Sequence, residues 1–509
     1  MIKSNGGIIG PDNVTTGGSF GTASGVFKLG EVTKLIRESK WPTAGPGGFQ
    51  VSNSARFNRG SSDYLNRTPS SASNRKTFTF SFWVKRNTLG IDATIYNVRP
   101  DSNGANRINF HSGDSFRVSI EPPSKFIFTT RLFRDVLAWY HIVVAFDTTQ
   151  GTAANRVKIY VNGVQETSLV KGDGGAASYP DQDSNLDINT TNVINIGRDL
   201  ETNSDFIDMY LAEFVFIDGL QLAPTSFGET NSDSGIWIPK SVSGLTFGTN
   251  GFYLDFKDSS ALGNDANGSN NFTANNLTSI DQSTDSPSNN FATWNSLQPT
   301  NATMTEGNLV GASSASSGHY SGLSTIGVTS GKWYFECKQI QESTTGEGII
   351  GAVIFYNTVT ALLNPEGRGG AWGIKAQGRG FQTDSGGSGS TTNSFTAGWS
   401  NNDTIGIALD IDNSKIYFSK GGQWNNSGSW NAANPTTSQT LQNALGDGTY
   451  FFFAGDASGS NNNTWSANFG SPAHAISSGN ADANGFGNFE YAPPTGFFSL
   501  CTNNLNILE

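Results

Sequence analysis

Charge is scarce in this chain: Asp, Glu, Lys and Arg make up only 14% of its 509 residues. That is too little for a charge-rich disordered protein, which depends on low hydrophobicity and high net charge. What balance exists is acidic, −11 at pH 7, and no basic run occurs. Electrostatic capture of nucleic acid is therefore not its main task. Cysteine is nearly absent. Cys337 and Cys501 provide neither a disulfide framework nor zinc-site spacing, and both fall in strand-like apolar runs that bury an inert thiol. Four histidines (His111, His141, His319 and His474) supply metal clusters and His-based triads poorly. No apolar run approaches the ~20 residues of a membrane span, and the amino-terminal MIKSNGGIIGPDN has no apolar core of signal-peptide length. The expected origin is a cytosol, with carriage outside as part of a particle left open.

Glycine and aromatic rings are what the chain has in quantity: 61 Gly, 35 Phe and 11 Trp, which concentrates its apolar area in large side chains. This composition fits many short strands joined by polar turns, and the length calls for two or three domains. In Thr77–Arg86 (TFTFSFWVKR), Phe78, Phe80 and Phe82 alternate with Thr79, Ser81 and Trp83. A period of two puts three phenylalanines on one face of a half-buried strand. WYHIVVAFD (139–147) and RVKIYVNGV (156–164) answer it, with Asn162-Gly163 as a hairpin turn. NVINIG (192–197) and FIDMYLAEFVFIDGLQL (206–222) follow. Each ring contributes only if a second layer covers it, so the expected form of 46–230 is an antiparallel sandwich. Before it, 1–45 is glycine-rich and too short to bury its own core. Val32, Leu35 and Ile36 predict one short helix before Trp41-Pro42. This arm reads either as a flexible leader or as an anchor that orders on a partner.

The order SFWVKR, WYHIVVAFD, KIYVNGV, INIGR and LAEFVFIDGLQL resembles the laminin-G/concanavalin A-like jelly roll over about 50–225. The counterparts of that family's pattern are Phe82-Trp83, Trp139 with His141, Tyr160–Gly163 and Ile196-Gly197. The resemblance implies the fold but no particular ligand, since lectins, hydrolases and adhesion modules share it. Within 231–300, Trp237–Asp258 carries some strand character; the small polar stretch after it lacks periodicity and reads as a long extended connector laid over a surface, pinned by Phe272, Phe291 and Trp294. Its D-x-S-A-L-G-N-D and T-D-S-P-x-N-N-F stretches, with S-G-V-F-K-L…W-P in the leader, resemble segments of tailed-bacteriophage structural proteins.

A second β domain is expected over 301–509. GKWYFECKQI (331–340) alternates Trp333, Phe335 and Cys337 against Lys332, Tyr334 and Glu336. With Trp399, Asp403, Ile405-Gly406, Leu409-Asp410, Ile416–Phe418, Asn468–Gly470, Pro493–Phe497 and Leu500, it resembles a SPRY (B30.2-type) sandwich. The turn after Phe418 reads SKGG where many members place Asn before Gly. The inserts Asp384–Thr392 and Gln423–Thr437 are rich in Gly, Ser and Asn. SPRY domains are chiefly binding modules whose loops choose the partner, so the partner does not transfer.

Catalytic patterns are thin. A glycosidase needs two carboxylates about 5–9.5 Å apart across a cleft. Glu213 and Asp218 do not share strand spacing, and Asp410 and Asp412 lie beside a turn. No Gly-x-Ser-x-Gly elbow is present, and GEGIIG and GRGG lack the helix and lysine of a phosphate loop. His141 sits within an apolar strand and reads as a packed residue rather than a base. Asp181, Asp183 and Asp187 share one loop whose oxygens would suit Ca²⁺, against the simpler reading of a solvated turn. Trp372, Trp424, Trp430 and Trp465 lie in or beside polar loops, either as core and loop-pinning residues or, as a set, as rings for stacking on sugars.

The expectation is thus an all-β, non-enzymatic virion protein of a tailed phage, a tail fibre or adhesin, made in the host cytoplasm and homo-oligomeric. It would attach to other virion proteins through the arm and bind a host-surface glycan or protein. It would need no cofactor, calcium being the one candidate, and would neither bind nucleic acid nor insert in a membrane. A capsid-decoration or spacer role and a polysaccharide hydrolase are the alternatives.

Overall fold

A computed structural model describes residues 7–10, 25–28 and 48–508, apart from 101–103, 122–123, 173, 201–203, 233, 299–301, 314–319, 343–345, 355–369, 384–388, 442–447 and 458–462. Gly7–Gly10 pairs with Gly25–Lys28; the helix expected before Trp41 lies outside the described residues. The described chain is all-β, closing with one seven-residue helix, Thr502–Leu508.

Alternating rings build the first sandwich. Its inner sheet runs Val164–Gln165, Val157–Val161, Trp139–Asp147, Thr77–Arg86, Met209–Asp218, Ser54–Phe57 and Gln282–Ser283, with Phe252–Leu254 also on Met209–Asp218. The facing sheet runs Leu169–Val170, Lys125–Leu132, Ser115–Ile120, Asn106–Phe110, Ala93–Val98, Ile194–Ile196, Tyr64–Arg67 and Thr273–Asn275. Phe80 stands in register with Val144 and Phe216 and touches Tyr96 of the facing sheet, ring centres 4.6 Å apart. Phe82 stacks on Phe214 at 5.2 Å. Such ring pairs add about 0.5–1.5 kcal/mol each beyond the area they bury. Asn162 and Gly163 take φ of 47° and 81°, closing the expected two-residue hairpin between Val161 and Val164.

Thr77–Arg86 is not half-buried, as its alternation predicted; both faces are covered. Phe227, Val242 and Phe247 pack on Val143, Val215 and Ile217, while Trp237 reaches His141. These covers come largely from the region read as connector. That region also donates the strands Phe252–Leu254, Thr273–Asn275 and Gln282–Ser283 to the first sandwich. The connector is therefore built into the sheets rather than laid over their surface. Its strands have two or three residues each, too few to show a period.

In the second sandwich, Lys332–Gln341 is central, flanked by Thr464–Asn468 and Thr404–Asp410. The facing sheet runs Tyr320–Leu323, Tyr450–Asp456, Gly348–Ile354, Ala371–Lys375, Gly380–Thr383 and Gly389–Thr392. Phe335 meets Phe452 across the layers at 4.6 Å. Part of the Asp384–Thr392 insert lies outside the described residues. Within Gln423–Thr437, Gln423–Asn426 and Ser429–Ala432 form a hairpin.

Buried polar contacts join the two sandwiches. The fully buried Arg56 guanidinium donates to the carbonyls of Ile280 (3.0 Å) and Pro472 (3.2 Å) and pairs with Asp281 (3.3 Å). Tyr210 Oη donates to the Gly307 carbonyl at 3.1 Å. Lys85 Nζ sits 2.7 Å from Asp285 Oδ2, and both side chains are 1% exposed.

A bulge between Ala212 and Val215 turns Glu213 to φ 49° and buries its carboxyl. Oε2 accepts from Tyr253 Oη at 2.5 Å; Oε1 has no partner. Burial pushes the Glu213 pKa from 4.5 up to about 7, the Tyr253 bond opposing it. A carboxyl raised on folding stabilises when protonated, so its contribution is fullest below 4.5 and is lost as pH rises to about 7. Glu336 acts in the same window, whereas His141 and His474, lowered to about 3 and about 4 by burial, lose their contribution as pH falls below 6.5. Glu213→Gln isolates one group: it is expected to stabilise the chain by on the order of 2–3 kcal/mol at pH 8 and by almost nothing at pH 4. Urea titrations at both pH values check this; an equal effect at both would show that the carboxyl does not titrate as placed.

Candidate functional site

The facing sheet of the first sandwich has a polar outer side, set by strand alternation. Leu65, Ile194, Ile196, Tyr96, Val98, Ile108, Val118 and Ile120 enter the core. Their neighbours Asn66, Asn195, Asn97, Arg107 and Ser119 therefore project outward. The register aligns these into one row: Thr273 opposite Asn66, then Asn195, Asn97, Arg107, Ser119 and, at the end, Phe126. One row crosses seven strands. A parallel row carries Thr94, Asn109, Arg117 and Phe128.

Arginines lie over this floor of amides, held by acids. Asp199 accepts from Arg99 (2.9 Å) and Arg107 (2.9 Å), and Arg107 also reaches Glu121 at 3.3 Å. The Arg198 guanidinium lies 3.5 Å from the centre of the Tyr64 ring. The amide oxygens are engaged: Asn195 Oδ1 accepts from Arg198 Nε at 3.0 Å, Asn97 Oδ1 from the Leu200 N–H at 3.3 Å, and Asn66 Oδ1 from Asn275 Nδ2 at 2.7 Å. The donors are not. Asn195 Nδ2, Asn97 Nδ2, Arg107 Nε and Ser119 Oγ, four consecutive members of the row, are buried without a hydrogen-bond partner among the described residues. An unpaired buried donor costs about 1–3 kcal/mol. Asn195 and Asn97 are 0% and Ser119 1% exposed, so the part of the row open to a ligand is Thr273, Asn66, Arg107 and Phe126.

The residues singled out in the sequence lie elsewhere. Trp372 and Trp465 are 1% exposed inside the second core, and Trp424 is 4% exposed against Tyr334. Trp465 Nε1 donates to the Gly455 carbonyl at 2.9 Å. Trp430 is half-buried and packs on the same core. The idea of four loop tryptophans forming a sugar platform is corrected here. Each stands on a short strand, and none of the buried three presents a ring to solvent. Asp181, Asp183 and Asp187 each face a different cation: Lys125 at 3.0 Å, Lys76 at 3.4 Å and Arg75 at 2.8 Å. Among the described residues, no group of three His, Cys, Asp or Glu side chains is arranged to hold a metal ion.

His141 is packed between Trp83 and Trp237, ring centres 4.7 and 5.9 Å away. Trp237 Nε1 can only donate, so His141 Nδ1 (2.9 Å) accepts, and Nε2 carries the proton toward Ser81 Oγ at 2.8 Å. Burial lowers its pKa to about 3, so it stays neutral with both nitrogens engaged. Cys337 and Cys501 are both buried and unpaired. Asp410 pairs with Lys332 at 2.9 Å and Asp412 accepts the Gly331 N–H at 2.8 Å, both fastening a turn. The Asn row was missed, although its signal was present: Asn66, Asn97 and Asn195 each stand between two chain neighbours inside strands, in LNR, YNV and INI.

Residues 59–220, which hold all of this row except Thr273 and the wall around Asn275, match the family model described as the concanavalin A-like lectin/glucanases superfamily. A search of curated proteins finds no match. Among solved structures, the chain is similar to a putative carbohydrate binding protein from Bacteroides ovatus (15% identity, TM-score 0.30, covering 45% of this chain and 59% of that one). It is also similar to domains LG4-5 of the mouse laminin alpha1 chain (12% identity, TM-score 0.27, covering 89% and 88%). A third is the SPRY domain of human HERC1 (15% identity, TM-score 0.24, covering 31% and 87%).

Proposed function

We propose that this chain is a non-enzymatic structural protein of a tailed-phage particle, a tail fibre or adhesin. Its first sandwich would hold a host-surface glycan on the Asn–Arg row. The carrying observation is the family match over 59–220, together with the solvent-open members of the row, Thr273, Asn66, Arg107 and Phe126. A polysaccharide supplies acceptor oxygens at regular intervals, and the partly exposed Phe126 at the far edge offers apolar surface for a sugar face. The family match over 59–220 supports a binding module. The phage assignment draws on the connector and leader segments described above, and the second sandwich takes the SPRY role of partner choice. Multiple copies on a particle would raise a weak single-site affinity by avidity.

The test is a glycan array and whole-cell binding with the full chain and with Asn66→Ala/Phe126→Ala, which removes an amide and a ring from the open part of the row. A lost hydrogen bond and a lost stacking surface predict binding weaker by at least about tenfold. Unchanged binding would remove the row from the site. Failure of the native chain to bind any host glycan or cell, with loss from particles when 1–45 is deleted, would favour the spacer role. Release of reducing sugar would establish a hydrolase.

A further inference from the structure

We propose a second ligand site, in the cleft between the two sandwiches, that takes a single uncharged sugar ring. The inference rests on the glycan-binding reading for its ligand class, but uses none of the same residues. The cleft holds about 230 Å³ and is walled by Asn53 of the first sandwich, by Ile280 and Gln282 of the joining segment, and by His474, Ile476 and Asn488 of the second. Drug-sized ligands occupy about 300–1,000 Å³, so one ring at a time is what fits.

Its chemistry is that of a neutral polyol. No Asp, Glu, Lys or Arg lines the cleft. Arg56, which runs beneath it, donates to the Ile280 and Pro472 carbonyls and to Asp281, and its Nε faces Glu306 Oε2 at 3.6 Å. The lining side chains are amides, hydroxyls and one imidazole, groups that pair with sugar hydroxyls as both donors and acceptors. Opposite them, Ile280 is 39% exposed, and with Ile476 it provides an apolar wall for the C–H face of a pyranose. His474 supplies the independent sign. Its Nδ1 is held by Ser466 Oγ at 2.7 Å, while Nε2 is buried with no hydrogen-bond partner among the described residues. The ring is fixed at one nitrogen and unsatisfied at the other.

The walls are rigid where they meet. Ser283 Oγ and Ser471 Oγ are 2.7 Å apart, and Thr284 Oγ1 donates to the Gly470 carbonyl at 3.0 Å. Because the cleft takes walls from both sandwiches, it exists only in the intact tandem.

The experiment is NMR of the full chain with isotope-labelled histidine, titrated with glucose, galactose and N-acetylglucosamine, with glucuronate as the charged control. One of the neutral sugars is expected to shift the His474 imidazole resonances, with glucuronate at least tenfold weaker. Ala475→Trp, which fills the mouth from an exposed position, is expected to weaken that response at least tenfold without lowering the melting temperature. No response to any neutral sugar, an equal response to glucuronate, or a response that survives Ala475→Trp would each overturn the site. Asn66→Ala/Phe126→Ala separates the two readings: the His474 response persists if the cleft is a site of its own. Array binding that survives Ala475→Trp but is lost in Asn66→Ala/Phe126→Ala leaves the first-sandwich site standing without the cleft.

Discussion

Lys85→Met is expected to destabilise the chain by about 3–5 kcal/mol at pH 8, because it strands a buried carboxylate. Lys85 Nζ donates to Asp285 Oδ2 and to Asn290 Oδ1, each at 2.7 Å, and Trp139 Nε1 completes the cage on Asp285 Oδ1 at 3.0 Å. Burial already lifts the Asp285 carboxyl above its ordinary range with the ammonium in place. Without it the carboxyl takes up a proton more readily still, so the loss should shrink as pH falls. Methionine keeps most of the side-chain volume, which confines the effect to charge. Replacing both partners, Lys85→Met with Asp285→Leu, should recover much of the loss, since a buried ion pair exchanged for apolar groups is often nearly neutral. Urea unfolding at pH 8 and pH 5 measures all three. A single variant as stable as the native chain at pH 8 would mean that Lys85 and Asp285 do not meet.

That ion pair also shows where the sequence is opaque. Lys85 stands next to last in a strand whose rings announce it, but Asp285 sits among Ser, Thr, Pro and Asn, where composition reads as connector. A polar segment joins a sheet through its backbone, and backbone pairing leaves no pattern in side chains. Gln282–Ser283 pairs with Ser54–Phe57 through two residues only. The strands with four or more alternating apolar residues were legible because a period of two needs that length to appear. The tryptophans failed for a related reason: indoles flanked by Gly, Ser and Asn look like loop residues until short strands turn them inward. Trp424 stands in a four-residue strand that neighbours a Gly-Gly turn with φ of 57° and 74°.

The candidate site was half legible. That Asn97 and Asn195 lie in strands follows from their apolar neighbours. That they stand side by side, with Arg107 next, depends on strand order: Ile194–Ile196 inserts between Ala93–Val98 and Tyr64–Arg67, both far away in sequence. Sequence periodicity fixes a face but not a neighbour. The cleft is further out of reach, since it needs both the sandwiches and the path between them.

Trp294→Ala is expected to cost about 3–5 kcal/mol, the usual range for emptying a large aromatic site in a core. Trp294 lies in the stretch whose composition reads as connector, yet it is 1% exposed within the second core. Its ring meets Phe469 edge-on at 5.1 Å and Phe335 at 6.1 Å. The backbone is fixed as well: Trp294 N–H donates to the Asn308 carbonyl at 2.8 Å, and Trp294 bridges to Ser324. A Cβ on Gly322 would come within 3.1 Å of the indole, so the neighbouring strand keeps a glycine where the ring passes. Trp430→Ala is the control; its ring is half-buried, and its loss should cost well under half as much. Urea unfolding followed by circular dichroism compares the two. If Trp294→Ala stays within about 0.5 kcal/mol of the native chain, as surface substitutions do, the indole does not fill the core. If the cost is as expected, the second sandwich begins before Phe291, whose bridge to Cys501 closes it. A fragment cut at 301 would then lack part of its own core, and its failure to bind a ligand would say nothing about the intact chain.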